Sequence, residues 1–364
     1  MAQEADLQGE ALSGMYPEEI REQFTAAGWE PFRAQQVSGW ISKGVLDAAD
    51  MRNLPQNIRE ALAAKKPRPV CTSSVGKILR DPDGTVKLQI RLDDASAVET
   101  VLLSDAAGRK TACVSSQAGC PLACRFCKTG TLGFRRNLRA GEITEQFLFL
   151  EKEAGKLDNI VFMGMGEPLL NLHAVRKAVA ILTAKSGRAL SRRRITISTA
   201  GICSGIYDLA DNGPDVRLAV SLTTADPGLR RELMPVEKNN PLPELKKALR
   251  CFCEKTGRRI TLEAAMLRNV NMSRNHARQL AEFCAGLHAN VNLIPWNPVE
   301  GLPFSRPSPA ETKAFSAELE SLGVNVVVRY PRGRSVAGAC GQLGETGISV
   351  PQETPEKTQG ETPS

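Results

Sequence analysis

Cys113-Val-Ser-Ser-Gln-Ala-Gly-Cys120-Pro-Leu-Ala-Cys124-Arg-Phe-Cys127-Lys-Thr-Gly130 is the stretch around which the rest of the chain is ordered. Three cysteines at C-x3-C-x2-C spacing follow closely on a β-type run from Lys110 to Ser115. Thiolates this close in sequence can converge on a metal centre without help from distant parts of a fold. Three is the informative number. A four-iron cluster that only carries electrons takes four thiolates, so three protein ligands leave one iron open, much as a catalytic zinc keeps an open position. A structural zinc site, with Cys113 or another residue as fourth ligand, needs a closed set of four. The chain has three histidines (His173, His276 and His288), and none lies near the loop. A disulfide framework belongs to oxidising compartments, to which nothing in the chain points. The spacing therefore favours an open iron–sulfur site, with structural zinc second and inert thiols third.

Bulk properties agree with a soluble enzyme-sized protein. A chain of 364 residues fills one large domain with a small appendage, or two modest domains. Its hydrophobic share of 42% is ordinary, and no 18-residue apolar run exists to span a bilayer. The acidic start, Met1-Ala-Gln-Glu-Ala-Asp6, lacks the basic-then-apolar pattern of a secretory signal, so a cytoplasmic protein without membrane contact is expected. Of the ten cysteines, Cys71, Cys203, Cys251, Cys253 and Cys284 read as small buried hydrophobes. The net charge of +7 is mild, but basic residues cluster at Lys65-Lys66-Pro67-Arg68, Arg135-Arg136-Asn-Leu-Arg139, Arg192-Arg193-Arg194, Lys246-Lys247 and Arg258-Arg259. Singly, each is a solvated face; together they suggest a phosphate-facing surface.

The apolar pattern divides the chain. Residues 1–68 read as a helical module: Tyr16-Pro17-Glu-Glu-Ile-Arg-Glu-Gln-Phe24 has proline and acids at a helix start, a second helix runs from Pro31 to Ile41, and a third covers 57–66. Trp29, Phe32 and Trp40 are expected in its core. Over residues 69–106 the period switches to two, with strands at 75–79, 86–90 and 98–101 and a turn at Asp81-Pro-Asp-Gly84, giving a short β meander. From 107 to 345 strands alternate with helices, which means a parallel sheet with crossovers. Candidate strands are 110–116, 158–164, 193–199, 215–222, 258–266, 290–295 and 325–330. Alternation alone leaves a doubly wound sheet and an open barrel equally available. Residues 346–364 are almost all polar or proline and are expected to be disordered.

The cysteine spacing after a strand resembles the radical S-adenosylmethionine (SAM) superfamily. A longer set of strings resembles the RlmN/Cfr family of adenosine methyltransferases, and its RlmN branch in particular. Besides Cys113-Val-Ser-Ser-Gln and the cysteine loop, these are Gly133-Phe-Arg-Arg-Asn-Leu138, Met163-Gly-Met-Gly-Glu-Pro-Leu-Leu-Asn171, Asn292-Leu-Ile-Pro-Trp-Asn-Pro298 and Ala339-Cys-Gly-Gln-Leu343. They run in family order over nearly the whole chain, which makes the match specific.

The resemblance implies an α/β fold: an open partial barrel of six strand–helix units, with the helical module and the meander attached. It implies a [4Fe-4S] cluster on Cys120, Cys124 and Cys127, with the fourth iron open to SAM. SAM contacts would fall to Gly166 and Glu167, to Ser198, to Ser221, Leu222 and Thr223, and to Asn297. Relatives usually carry Ser-Leu-His where this chain has Ser-Leu-Thr223, so that position departs from the pattern. Cys340 would take a methyl group from one SAM. A deoxyadenosyl radical from a second SAM would then abstract hydrogen from that methyl, and the carbon radical would add to adenine. Cys113 would resolve the adduct by forming a disulfide with Cys340, and Glu99 would remove the proton.

The implied substrates are 23S rRNA and tRNA, methylated at adenine carbon 2, with reduction by a flavodoxin or ferredoxin and a monomeric enzyme. Lys128-Thr129-Gly130 departs from the usual Ser-Thr-Ala and looks nearer the Cfr form, which methylates carbon 8 and confers antibiotic resistance. Two other classes share the cluster loop: an activase for a glycyl-radical partner, and a non-catalytic iron–sulfur RNA-binding or electron-transfer protein.

Overall fold

Alternation of short apolar strands with amphipathic helices produces one ten-stranded sheet in the structure, a computed structural model that describes residues 9–105 and 107–344. The meander supplies β1 (Ser74–Arg80), β2 (Val86–Arg91) and β3 (Ala97–Ser104), all antiparallel. β3 pairs antiparallel with β4 (Lys110–Cys113), which opens the barrel. A separate small hairpin, β5 (Gln117–Gly119) with β6 (Phe134–Asn137), brackets the cysteine loop. Then β7 (Asn159–Phe162), β8 (Ile195–Thr199), β9 (Arg217–Ser221), β10 (Ile260–Met266), β11 (Ala289–Pro295) and β12 (Val326–Val328) follow in parallel, each beside its predecessor and β7 beside β4. Since β1 and β12 are the sheet's two edges, the barrel is open, as the family resemblance implied.

Helices cover each crossover: Ala140–Ala154, Leu172–Thr183, Cys203–Asn212, Pro227–Leu233 with Leu242–Thr256, Arg274–Cys284, and Pro309–Ser321. That makes six strand–helix units and a short seventh parallel strand, β12, at the edge. Core positions such as Ile160, Ile197, Val220, Leu262 and Leu293 are fully buried. Each such side chain contributes about 1.5–3 kcal/mol of transfer free energy. The helices Cys203–Asn212 and Pro227–Leu233 and the β5/β6 hairpin had no clear sequence signal. The second helix starts on Asp226, whose carboxylate accepts the Leu229 N–H at 2.8 Å, with Pro227 in its first turn. The hairpin's strands are separated by the cysteine loop itself, so no turn signal joins them.

Three helices, Pro17–Ala26, Phe32–Ile41 and Gln56–Ala63, form the N-terminal module. One expectation fails there. Phe32 is 53% exposed, with the Arg33 guanidinium 4.4 Å from its ring centre. On that helix the buried stripe is Ala34, Val37 and Ile41, and Phe32 falls off it; Trp29 and Trp40 are half-buried. Similarly, of the five cysteines expected in the core only Cys203 is fully buried. The expected tail, 346–364, lies outside the described residues.

Polar groups fix the module to the barrel helix Ala140–Ala154. Glu10, 4% exposed, accepts the Gly141 N–H at 3.0 Å, and Ser13 donates to Glu145 at 2.6 Å. Glu145 also accepts the backbone N–H of Thr72 at 3.1 Å on that same oxygen and the N–H of Ser73 at 2.9 Å on the other, tying the connection into the meander. A Cβ on Gly14 would press into the Glu10 carboxylate and the Gly141 backbone nitrogen, so the two segments touch only because both positions are glycine. Gly14→Ala is expected to cost about 1–3 kcal/mol by overpacking. Calorimetry should show a lower melting temperature, and trypsin should cut faster after Lys65; unchanged melting and cleavage would refute the contact.

Candidate active site

The loop between β5 and β6 is pinned from several sides by the chain's own hydrogen bonds. Cys120 N–H donates to Gly133 O at 2.9 Å, Arg125 N–H to Leu233 O at 2.9 Å, and Lys128 N–H to Gly341 O at 2.8 Å. Trp296 Nε1 donates to Phe126 O at 2.9 Å. Gly130 lies so close to Cys124 that a Cβ would come within 2.7 Å of its carbonyl oxygen. Backbone groups from Gly133 just before β6, the helix Pro227–Leu233 and the C-terminal segment, with the Trp296 indole after β11, therefore set the loop's shape.

Cys120, Cys124 and Cys127 then line one cavity of about 200 Å³ at the carboxyl ends of the parallel strands. Gly166, Glu167, Ser198, Ser221, Thr223, Asn297 and Cys340 line it too. Leu222 does not; its side chain is fully buried and only its N–H, donated to Glu263 O at 2.9 Å, belongs to the neighbourhood. Cys113 is buried behind the wall, and Glu99 also stands off the cavity, 2% exposed and paired with Lys87 at 2.9 Å. All ten cysteines are free thiols, so the disulfide that the resemblance implies between Cys113 and Cys340 is not formed here.

The two glycines after β7 have a different first duty from the one expected. A Cβ on Gly166, whose φ is +95°, would stand 2.5 Å from Gln117 Cβ, and one on Gly164 would stand 2.7 Å from the Val114 carbonyl. They let the end of β7 press against residues 114–117 before any ligand is considered. Glu167 is likewise engaged by the chain: it accepts Leu169 N–H at 3.0 Å and Ala200 N–H at 2.7 Å. The Ala200 carbonyl in turn accepts Arg230 Nη2 at 2.7 Å, and Arg230, fully buried, pairs with Glu237 at 2.6 Å. Thr223, the position that departs from the family pattern, has φ +61°, a strained setting for a β-branched residue. Its N–H bonds Glu263 O at 3.1 Å and its carbonyl accepts Asn271 at 2.9 Å, which hold it there.

Burial dominates the site's electrostatics. It pushes the Cys120 thiol up to about 12, with Cys127 and Glu167 adding to the rise, and it raises Cys124, where Cys127, Cys120 and Glu167 repel and Arg230 opposes. Cys340 has accessible surface because it looks into the cavity, yet protein surrounds it; burial, then Glu263, then Cys127 bring its thiol to about 11. Cys113 is raised by burial and then by Cys340. Desolvation lifts Glu167 to about 7 against its backbone hydrogen bonds.

Spacing and resemblance missed Glu263. It sits in the middle of β10, lines the cavity, accepts Asn292 Nδ2 at 2.9 Å through Oε1, and is lifted to about 7 by desolvation. A lone acid in Ile260-Thr-Leu-Glu-Ala-Ala265 has no distinguishing neighbour in sequence; the one available signal was a charge inside an otherwise apolar strand. Part of the basic clustering is paired within the chain. Arg136 and Arg139 both pair with Glu142 at 2.8 Å, and they reach Asp94 at 2.6 Å and Asp93 at 2.7 Å respectively, holding the hairpin to its helix. Arg192, Arg193 and Arg194 remain exposed.

The donor set fits an iron–sulfur cluster. Four soft thiols, the three of the cysteine loop and Cys340, and two carboxylates face the cavity, and no imidazole, lysine or arginine lines it among the described residues. Among the described residues no three such side chains stand at the spacing of a closed metal site, a spacing that thiols bound to separate irons do not need.

Glu263 gives a test of this desolvation. Between the usual 4.5 and about 7, the folded protein keeps a proton on Glu263 that the unfolded chain has lost, so its contribution to stability falls as pH rises through that window. Glu263→Gln should remove this slope and stabilise the ligand-free protein at pH 8 by about 1–3 kcal/mol, with little effect at pH 4.5. Thermal melts at the two pH values measure it. No gain at pH 8 would show a hydrated carboxylate.

The family model for the radical SAM superfamily matches residues 114–281, and that for the ribosomal RNA large subunit methyltransferase N-terminal domain matches residues 11–66. A Treponema denticola protein named probable dual-specificity RNA methyltransferase RlmN is 55% identical over 336 residues, covering 92% of this chain and 96% of its own. A Thermus thermophilus protein of the same name is 44% identical, covering 86% and 89%. The crystal structure of a radical SAM methyltransferase from Sphaerobacter thermophilus superposes with a TM-score of 0.88 at 39% identity, covering 92% of this chain and 98% of that one. With the cysteine loop, the open barrel and the N-terminal module all matched in order, the chain belongs to the radical SAM superfamily and, within it, to the RlmN family.

Proposed function

We propose that this protein is a radical SAM methyltransferase acting on carbon 2 of an adenosine in 23S rRNA and of an adenosine next to the anticodon in tRNAs. The observation that carries the reading is the Cys340 thiol on the same cavity as Cys120, Cys124 and Cys127. An adenine ring carbon is electrophilic, so polar methyl transfer to it fails; a cluster-bound SAM would supply the hydrogen-abstracting radical that the reaction needs. The chain's residues supply the geometry. Cys120, Cys124 and Cys127 hold the [4Fe-4S] cluster and leave one iron for SAM. Gly166, Glu167, Ser198, Ser221, Thr223 and Asn297 line SAM's space, with Leu222 contributing through its backbone.

Cys340 receives the methyl group from one SAM and presents it to the base, and a second SAM is used for the radical step. Glu99 then takes the proton from the ring carbon as the adduct radical gives up one electron, which the cluster would accept. The Cys113 thiolate next attacks the Cys340 sulfur. As the S–S bond forms, the bond from that sulfur to the transferred carbon breaks, its electron pair passing to the base and the carbon becoming methyl on protonation. Residues 1–68 serve as the RNA-meeting module and residues 107–345 as the catalytic core. Electrons come from a flavodoxin or ferredoxin, and the enzyme works as a cytoplasmic monomer. No helix among the described residues is long and apolar enough to cross a membrane.

The test is anaerobic reconstitution with iron and sulfide, then nucleoside mass spectrometry of rRNA fragments and tRNA. The expected product is 2-methyladenosine in both RNAs, with Cys340→Ala lowering it by at least about a hundredfold. Unimpaired product formation by that variant would overturn the carrier role. Sole formation of 8-methyladenosine would shift the target to the other ring carbon, the outcome that Lys128-Thr129-Gly130 would favour.

A further inference from the structure

The segment that carries Cys340 is held at both ends by one buried ion pair from the meander. Lys87 on β2 and Glu99 on β3 are diagonal neighbours, since Glu99 pairs in register with Gln89. Their charged atoms meet at 2.9 Å, with both side chains 2% exposed. Glu99 Oε2 accepts the Gly344 N–H at 2.6 Å, and Lys87 Nζ donates to the Ala337 carbonyl at 3.4 Å. Those two residues bound the stretch Gly338-Ala-Cys-Gly-Gln-Leu343. Ala337 has φ +46°, a left-handed setting that an L side chain keeps only when its surroundings impose it. On its inner side the stretch is tied to the site: Asn297 donates to Cys340 O at 3.1 Å and Thr129 to Leu343 O at 2.7 Å.

We propose that Lys87 is a positioning residue for Cys340: paired with Glu99, it clasps Ala337 and Gly344 and so sets where the thiol stands. This rests on the function proposed above for what the positioning serves. Both Glu99 oxygens are engaged in the clasp, so Glu99 takes a proton from a substrate only after giving up Gly344. Release of the Cys340 segment and arrival of the base at the adduct are then a single event.

The test reads the clasp in the full-length, reconstituted protein without RNA or SAM. Amide hydrogen exchange is followed over residues 337–344, with β10 as internal control, together with the rate of Cys340 alkylation by iodoacetamide. Lys87→Met is expected to speed both by at least about tenfold while β10 keeps its protection, and Lys87→Arg should restore both to within about threefold. Removing one partner strands a buried charge, so the double variant Lys87→Met/Glu99→Gln guards against simple misfolding. It should stay folded and remain fast over 337–344. Wild-type exchange there in either Met variant, or protection lost equally from β10, would overturn the proposal. A wild-type enzyme that makes no methylated adenosine would defeat the proposed function, and these measurements would be unaffected.

Discussion

The site is organised around a missing positive charge. Thiols and carboxylates have been withdrawn from water and turned toward one cavity, and no cationic side chain lines it among the described residues. Ionising any of them there is costly unless a cation arrives, because desolvation penalises only the charged form. An iron cluster and a sulfonium are both cationic partners of that kind. Arg230 marks how strictly the cavity is kept clear: fully buried and near enough to act on Cys124, it spends its charge on Glu237 and the Ala200 carbonyl. Metal binding and thiolate formation are therefore one coupled equilibrium, as for other cysteine sites.

The wall around that cavity is backbone more than side chain. Glu167, Gly164 and Gly166 fasten the end of β7 to residues 114–117 and to Ala200 before any ligand is present. The cysteine loop is held by main-chain bonds from segments as far apart as Leu233 and Gly341. Such a frame sets the three ligands near one another through the chain's own bonds, which lowers the ordering entropy lost on binding.

Legibility in the sequence followed local repetition. The strand–helix alternation, the meander and the cysteine loop each have a period or a spacing, and the structure returns them within a few residues; the expected strand 110–116 ends at Cys113, although residues beyond it still bond to 161–165. Family strings added Cys340 and Glu167, which spacing alone could not single out. What stayed hidden depends on distant pairs. Lys87, Glu263 and Arg230 are single charges whose meaning comes from partners that only the fold supplies. Phe32 misled because an aromatic near a helix start looks like core until the buried stripe is located. The arginines at 136 and 139 looked like a nucleic-acid surface because their acidic partners at 93 and 94 are remote in sequence.

One wall of the cavity is built by residues far along the chain from the loop it faces. Cys340, Gly341 and Leu343 line the same space as Cys120, Cys124 and Cys127, and the Gly341 and Leu343 carbonyls accept from Lys128 and Thr129 beside that loop. A shift of the C-terminal segment is therefore felt directly at the three ligand positions, and a shift of the loop is felt at Cys340.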